Sequence, residues 1–71
     1  MSNGITPPER QKIVGFLVVK LAEYRRHELN SDQATQIAIE QEKRVFQTAK
    51  NPEQYDYAIN MVINGIRQGV I

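Results

Sequence analysis

Apolar positions along this chain recur three and four residues apart, and no segment alternates with period two over the length of a strand. Three helical segments are predicted, each opened by recognisable punctuation. Thr6-Pro7-Pro8-Glu9 supplies a cap, prolines for the first turn and a carboxylate at the capping-box position. The first helix is expected from Pro7 to about His27, with Arg25, Arg26 and His27 complementing the dipole of its last turn. Gly15 inside it costs roughly 1 kcal/mol against alanine. Either the helix tolerates that weakness, or a neighbouring helix approaches closely there. Glu28 to Ser31 reads as a connector, with Leu29 turned onto the core. Asn30 or Ser31 caps a second helix, from about Asp32 to Lys50, with Asp32 in its favourable first turn. Asn51-Pro52-Glu53-Gln54 then combines a cap, a proline at the first helical position and a glutamine able to reach back. The third helix is expected from Pro52 to about Gln68. Gly69 would end it in the left-handed conformation, with Val70 folding back as the apolar partner. Almost no loop separates Ala49 from Pro52, so the second and third helices should lie antiparallel. The fold class expected is all-α, a three-helix bundle, with residues 1–5 a flexible leader and 6–71 a single domain.

At about 100° per residue the apolar positions sort into arcs. On the first helix Ile13, Val14, Leu17, Val18, Leu21 and Tyr24 share one broad arc, and Phe16 and Val19 fall outside it. On the second, Ala34, Ala38, Ile39, Val45, Phe46 and Ala49 form the inner arc. On the third, Tyr55, Ala58, Ile59, Val62, Ile63 and Ile66 do so, while Tyr57 and Met61 fall outside. The outer helices thus carry more apolar surface than one core face needs. That surplus is either a wide core stripe, since each helix of a bundle meets two others, or one side of an open groove. Methionine suits a surface that accepts varied ligands.

Glu42 projects near the centre of the second helix's inner arc. A carboxylate there is costly unless paired or hydrogen-bonded. Arg10, Lys12 and Arg67 are possible partners; the alternative is that Glu42 reaches solvent.

Composition narrows the functional classes. The 71 residues make one domain, too small for a large core, with no cysteine to staple it. The absence of cysteine fits an intracellular protein. The formal net charge of +1 argues against electrostatic capture of nucleic acid or an anionic membrane. No apolar run approaches the roughly 20 residues of a membrane span, and the first residues lack the pattern of a signal peptide. The apolar Gly69-Val70-Ile71 end is expected of a domain within a longer protein. One histidine and no cysteine make no zinc site, and His27 reads as a charged helix end. There is no nucleophile–base arrangement, phosphate loop or carboxylate pair in a cleft, so neither catalysis nor a cofactor is expected.

The pattern Glu42-x-x-Val45-Phe46-x-x-Ala49-x-x-x-Glu53-x-Tyr55, followed by Ile59, Ile63 and Ile66, resembles the second half of KIX domains. Arg10-Gln11-Lys12-Ile13-Val14 is similar to the opening of the first KIX helix in Mediator subunit 15. The resemblance covers about residues 9–68. Compared with the CREB-binding protein coactivators, the first connector is shorter. The aromatic pair is also spread, as Tyr55-Asp56-Tyr57. This compact form looks closer to a fungal Mediator tail subunit. By resemblance, Phe16 matches a groove position on the first helix, and Asp56, Asn60 and Asn64 match groove positions on the third. Periodicity adds Val19, Tyr57 and Met61, and Ile13 and Lys20 complete the expected partner-binding groove. Glu42, Phe46 and Tyr55 are expected to be structural.

The resemblance implies a monomeric docking module for transcriptional activation domains, within a nuclear Mediator or coactivator complex and without direct nucleic-acid or membrane contact. Acidic, apolar activation segments would fold to an amphipathic helix in the groove between the first and third helices. Lys12, Lys20 or Arg67 would attract their acids. Two other readings stay open: a structural or homo-oligomerisation domain using the same apolar surface, and a small DNA-binding bundle. The third helix has one basic residue, Arg67, where a recognition helix needs several.

Overall fold

The computed structural model describes residues 3–71. The chain forms three helices, α1 (Pro7–Arg25), α2 (Ser31–Thr48) and α3 (Pro52–Gln68), arranged as an all-α three-helix bundle. Each begins as its sequence dictates. Thr6 Oγ accepts the Glu9 amide. Asn30, rather than Ser31, caps α2 in a reciprocal box with Gln33. Asn51 Oδ1 accepts the Gln54 amide at 2.8 Å, but the Gln54 side chain accepts from the Lys50 amide, one residue beyond the cap.

The ends differ from expectation by two residues each on α1 and α2. Residues 26–28 form a turn, closed by the Glu28 and Leu29 amides donating to the Arg25 carbonyl and by an Arg25–Glu28 ion pair. Lacking a left-handed glycine, α1 ends in this tight turn rather than in a sharp stop. Ala49 turns extended, which frees Lys50 and Asn51 for the approach to Pro52. Gly69 does terminate α3 with φ of 82°, the left-handed region open to glycine. Its apolar partner is Ile71, not Val70: Val70 is exposed, while Ile71 lies against Gly65 so closely that a Cβ there would stand 2.7 Å from Ile71 Cδ1. A side-chain N–H of Arg25 donates to the Ile71 carbonyl, fastening this end to α1. Gly15, by contrast, faces open space, so no neighbouring helix requires it.

The core is built from Leu17 and Leu21 of α1, Ala34, Ala38 and Val45 of α2, and Tyr55, Ile59, Val62 and Ile66 of α3. Small residues on α2 let α1 pack closely against it. Tyr24 and Ile39, expected in the core arcs, are about half exposed, at 46% and 47%. Tyr24 lies in the last turn of α1 and Ile39 at the rim of the α1–α2 cleft, where the neighbouring helix no longer covers them. Ile37, outside the expected arc of α2, packs on the core instead.

The leader is the larger correction. Met1 and Ser2 lie outside the described residues, but Asn3 and Ile5 are buried, and Ile5 joins the core. Asn3 Nδ2 donates to the carbonyls of Phe46 and Ala49, which the end of α2 leaves open, and Asn3 Oδ1 accepts the Ile5 amide. Residues 3–5 are therefore a strap across the end of α2. Asn3→Ala is expected to lower the unfolding free energy by about 1–3 kcal/mol, since it leaves buried backbone groups unpaired. Urea denaturation measures this; a midpoint equal to the parent's would show the strap to be dispensable.

Candidate functional site

A single carboxylate joins the three helices. Glu42 is 2% exposed. Of the three candidate cations, Arg10 is its partner: Nε donates to Oε2 at 2.8 Å and Nη2 to Oε1 at 2.9 Å. This two-pronged arrangement is strong and directional. From α3, the Tyr55 hydroxyl donates to Oε2 at 2.8 Å. The Arg10 guanidinium also stacks on the Phe46 ring, 3.7 Å from its centroid. Among the described residues, no buried side-chain polar atom lacks a partner. Hydrogen bonding to Glu42 raises the Arg10 pKa above its ordinary value. Burial, then the bond to Glu42, pushes the Tyr55 hydroxyl well above its own. Arg10 and Glu42 line one end of the cleft between α1 and α2, but both carboxylate oxygens are already taken by Arg10 and Tyr55. The cluster's arrangement is structural.

It also sets helix direction. Arg10 and Tyr55, near the starts of α1 and α3, meet on Glu42, and Arg25 at the end of α1 meets Ile71 beyond the end of α3. α1 and α3 therefore run parallel, with α2 antiparallel to both. The cleft between α1 and α2, lined by Gln11 and Val14 on one side and Ile39 on the other, identifies the α2-facing flank of α1. Leu17 and Leu21 point into the core, so the remaining flank, carrying Ile13, Phe16, Lys20 and Tyr24, looks toward α3. Going round α1 as the chain turns, one passes the α3 flank, the core and then the α2 flank. A parallel helix in the same triangle must show α2, core and then α1. At about 100° per residue, α3 meets that order as Ala58, then Tyr55 and Ile66, then Ile63 and Asp56, with Arg67 and Asn60 at the outer edge.

The expected groove residues are thereby divided. Ile13, Phe16 and Lys20 stand on the α3-facing flank of α1, and Asp56 and Asn60 on the α1-facing flank of α3. Ile13 and Lys20 are half-buried, and Phe16 is exposed, with the Lys20 ammonium 5.3 Å from its ring centroid. Four others leave the groove. Val19 lies two residues from both Leu17 and Leu21, Tyr57 two from Tyr55 and Ile59, and Asn64 two from Val62 and Ile66. All six of those neighbours are buried, so each residue between them points away from the core. Met61 turns to the far flank of α3, past Ala58. Tyr24, Ile63 and Arg67 take their places; the arcs place Tyr24 and Ile63 in the core, and Arg67 is expected at the rim or beside Glu42. Their signal in the sequence was the spacing Ile13–Phe16–Lys20–Tyr24 and Asp56–Asn60–Ile63–Arg67, one stripe per helix.

Among the described residues no group of three acidic, histidine or cysteine side chains could hold a metal ion. No described helix is long and apolar enough to cross a membrane. The family model for the KIX domain matches residues 1–70. No curated protein and no solved structure matches the chain.

The cluster gives two tests. Glu42→Gln should destabilise the domain by about 1–3 kcal/mol at neutral pH, because the charge that Arg10 needs is gone; an unchanged urea midpoint would contradict the ion pair. Tyr55 gives a pH test. Its folded-state pKa is raised above the ordinary value of 10.0. The unfolded chain therefore loses this proton first as pH rises. The stability it contributes is complete below about pH 10 and is lost progressively above it. Tyr55→Phe should flatten that alkaline decline. An equal decline in parent and variant would show that Tyr55 does not cause it.

Proposed function

The chain belongs to the KIX domain family, and on that premise we propose that its α1–α3 groove docks amphipathic helices from transcriptional activation domains. The family is one of helical protein-interaction domains of transcription coactivators and not of enzymes. One observation supports this groove. The α3-facing flank of α1 keeps Phe16 and Tyr24 exposed above half-buried Ile13 and Ile63, with Lys20 and Arg67 at the margins. A folded core that had enclosed Phe16 would leave no apolar anchor there. An incoming helix could instead bury it with side chains spaced i, i+3 and i+4.

The chemistry of such partners fits. Acidic, apolar segments are disordered alone and gain structure when they bury their anchors. That ordering cost keeps the complex weak and reversible, as recruitment of transcription machinery requires. In this reading the domain is monomeric and works in the nucleus, within a coactivator such as the Mediator tail, without touching nucleic acid.

Phe16→Ala should weaken an acidic amphipathic activator peptide about 5–30-fold, the loss of an anchor worth roughly 1–2 kcal/mol. Met61→Ala, on the opposite flank of α3, should leave affinity unchanged. Both should alter folding stability by less than about 1 kcal/mol. Calorimetric titration with urea midpoints measures all four quantities. Equal losses of affinity in the two variants would move the docking surface away from the α1–α3 groove.

A further inference from the structure

The groove has electrical polarity along its length. Because α1 and α3 run parallel, their starts lie at one end and their finishes at the other. Glu9 and Asp56 stand at the first end, Lys20 and Arg67 toward the second. These four lie on the facing flanks, and all but half-buried Lys20 are exposed; Lys12 and Glu23, at the outer margin of α1, lessen the contrast by one charge at each end without reversing it. Lys20 has a neighbour of opposite charge on its own helix, Glu23 at 3.5 Å, a solvent-facing pair of little strength. Among the described residues Arg67 makes no ion pair within 4 Å. The apolar floor runs between these ends from Ile13 to Tyr24, a rise of about 16 Å, or roughly three turns of a docked helix.

Resting on the docking function proposed above, we infer that the groove reads direction. It accepts an amphipathic helix of about three turns whose acidic side chains lie in its first turn. That turn sits over Lys20 and Arg67, and its other end, uncharged or basic, sits over Glu9 and Asp56. Two effects act together. Charge complementarity places the acids at the Lys20–Arg67 end and repels them from the Asp56 end. Acids are also favoured at a helix N-terminus, where unpaired amides carry partial positive charge. An acid-first helix is therefore better ordered before it docks, and its acids then meet the cations only if it runs antiparallel to α1 and α3. A helix with its acids last must either reverse or place them against Asp56.

Two peptides of identical composition test this, one with its acids in the first turn and one with them in the last. Each carries a nitroxide on its acidic end. Affinity is measured by calorimetry, and line broadening is followed at the amides of Tyr24 and Arg67 and at those of Ile13 and Asp56. The acid-first peptide is expected to bind roughly 2–5-fold more tightly, the scale of acids placed at the favoured helix terminus, and to broaden Tyr24 and Arg67. The double variant Lys20→Glu, Arg67→Glu should move the acidic end, and with it the broadening, away from Tyr24 and Arg67. Circular dichroism checks that it remains folded, and Asp56→Lys provides an independent variant that should narrow the difference from the other end. Equal affinities, or broadening at Ile13 and Asp56 by the acid-first peptide, would overturn the directional reading while leaving the groove as the docking site. Failure of both peptides to perturb any groove amide would overturn both.

Discussion

The buried carboxylate of Glu42 is the constraint on which this bundle depends. A charge in so small an interior is costly unless its lone pairs are met. They are met by α1 through Arg10 and by α3 through Tyr55. Any slip of one helix by a turn would strand the carboxylate or the hydroxyl. The cluster therefore selects one register among many apolar packings that would bury similar area. It also forces the starts of α1 and α3 to the same end. With the Arg25–Ile71 contact at the other end, that meeting point makes α1 and α3 parallel.

The ends add to the stability of the core. The apolar core is short, and two of its α2 contributions are alanines. Asn3 and Ile5 strap the end of α2, and Ile71 folds onto Gly65 while Arg25 holds its carbonyl. Both straps lie away from the α1–α3 flanks. The frame that leaves the α3-facing flank of α1 uncovered is closed by Glu42 and fastened at its termini. Phe16 then remains on the surface, partly covered by its own Lys20, at little cost to folding.

Much of this was legible in the sequence, and the physics explains where it was not. Helix starts were readable because caps are local: Thr6, Asn30 and Asn51 act within three residues of themselves. Glu42 was readable as an anomaly, but its partner was not, since Arg10 is 32 positions away and only the tertiary register separates it from Lys12 and Arg67. The strap was missed because Asn3 and Ile5 form no periodic pattern; their role is set by carbonyls at the far end of another helix. The groove was half legible. α1 is apolar almost all round, so periodicity identifies surplus surface without saying which side a neighbour leaves open. Val19 and Tyr57 looked like groove residues because they were apolar and off the arc. They are off it by nearly half a turn, which points them to solvent. The positions suggested by family resemblance, Phe16, Asp56 and Asn60, stand on the facing flanks; Asn64 does not.

We propose that the three-helix register fixed by Glu42 leaves the α1–α3 groove as the docking surface. Amide chemical shifts of the labelled domain, followed during titration with an acidic amphipathic activator peptide, test it most directly. The account expects the largest shifts along Ile13, Phe16, Lys20 and Tyr24 and along Asp56, Asn60, Ile63 and Arg67, with Val19, Tyr57 and Met61 nearly still. Shifts centred on Tyr57 and Met61, or on the α1–α2 cleft around Val14 and Ile39, would contradict it.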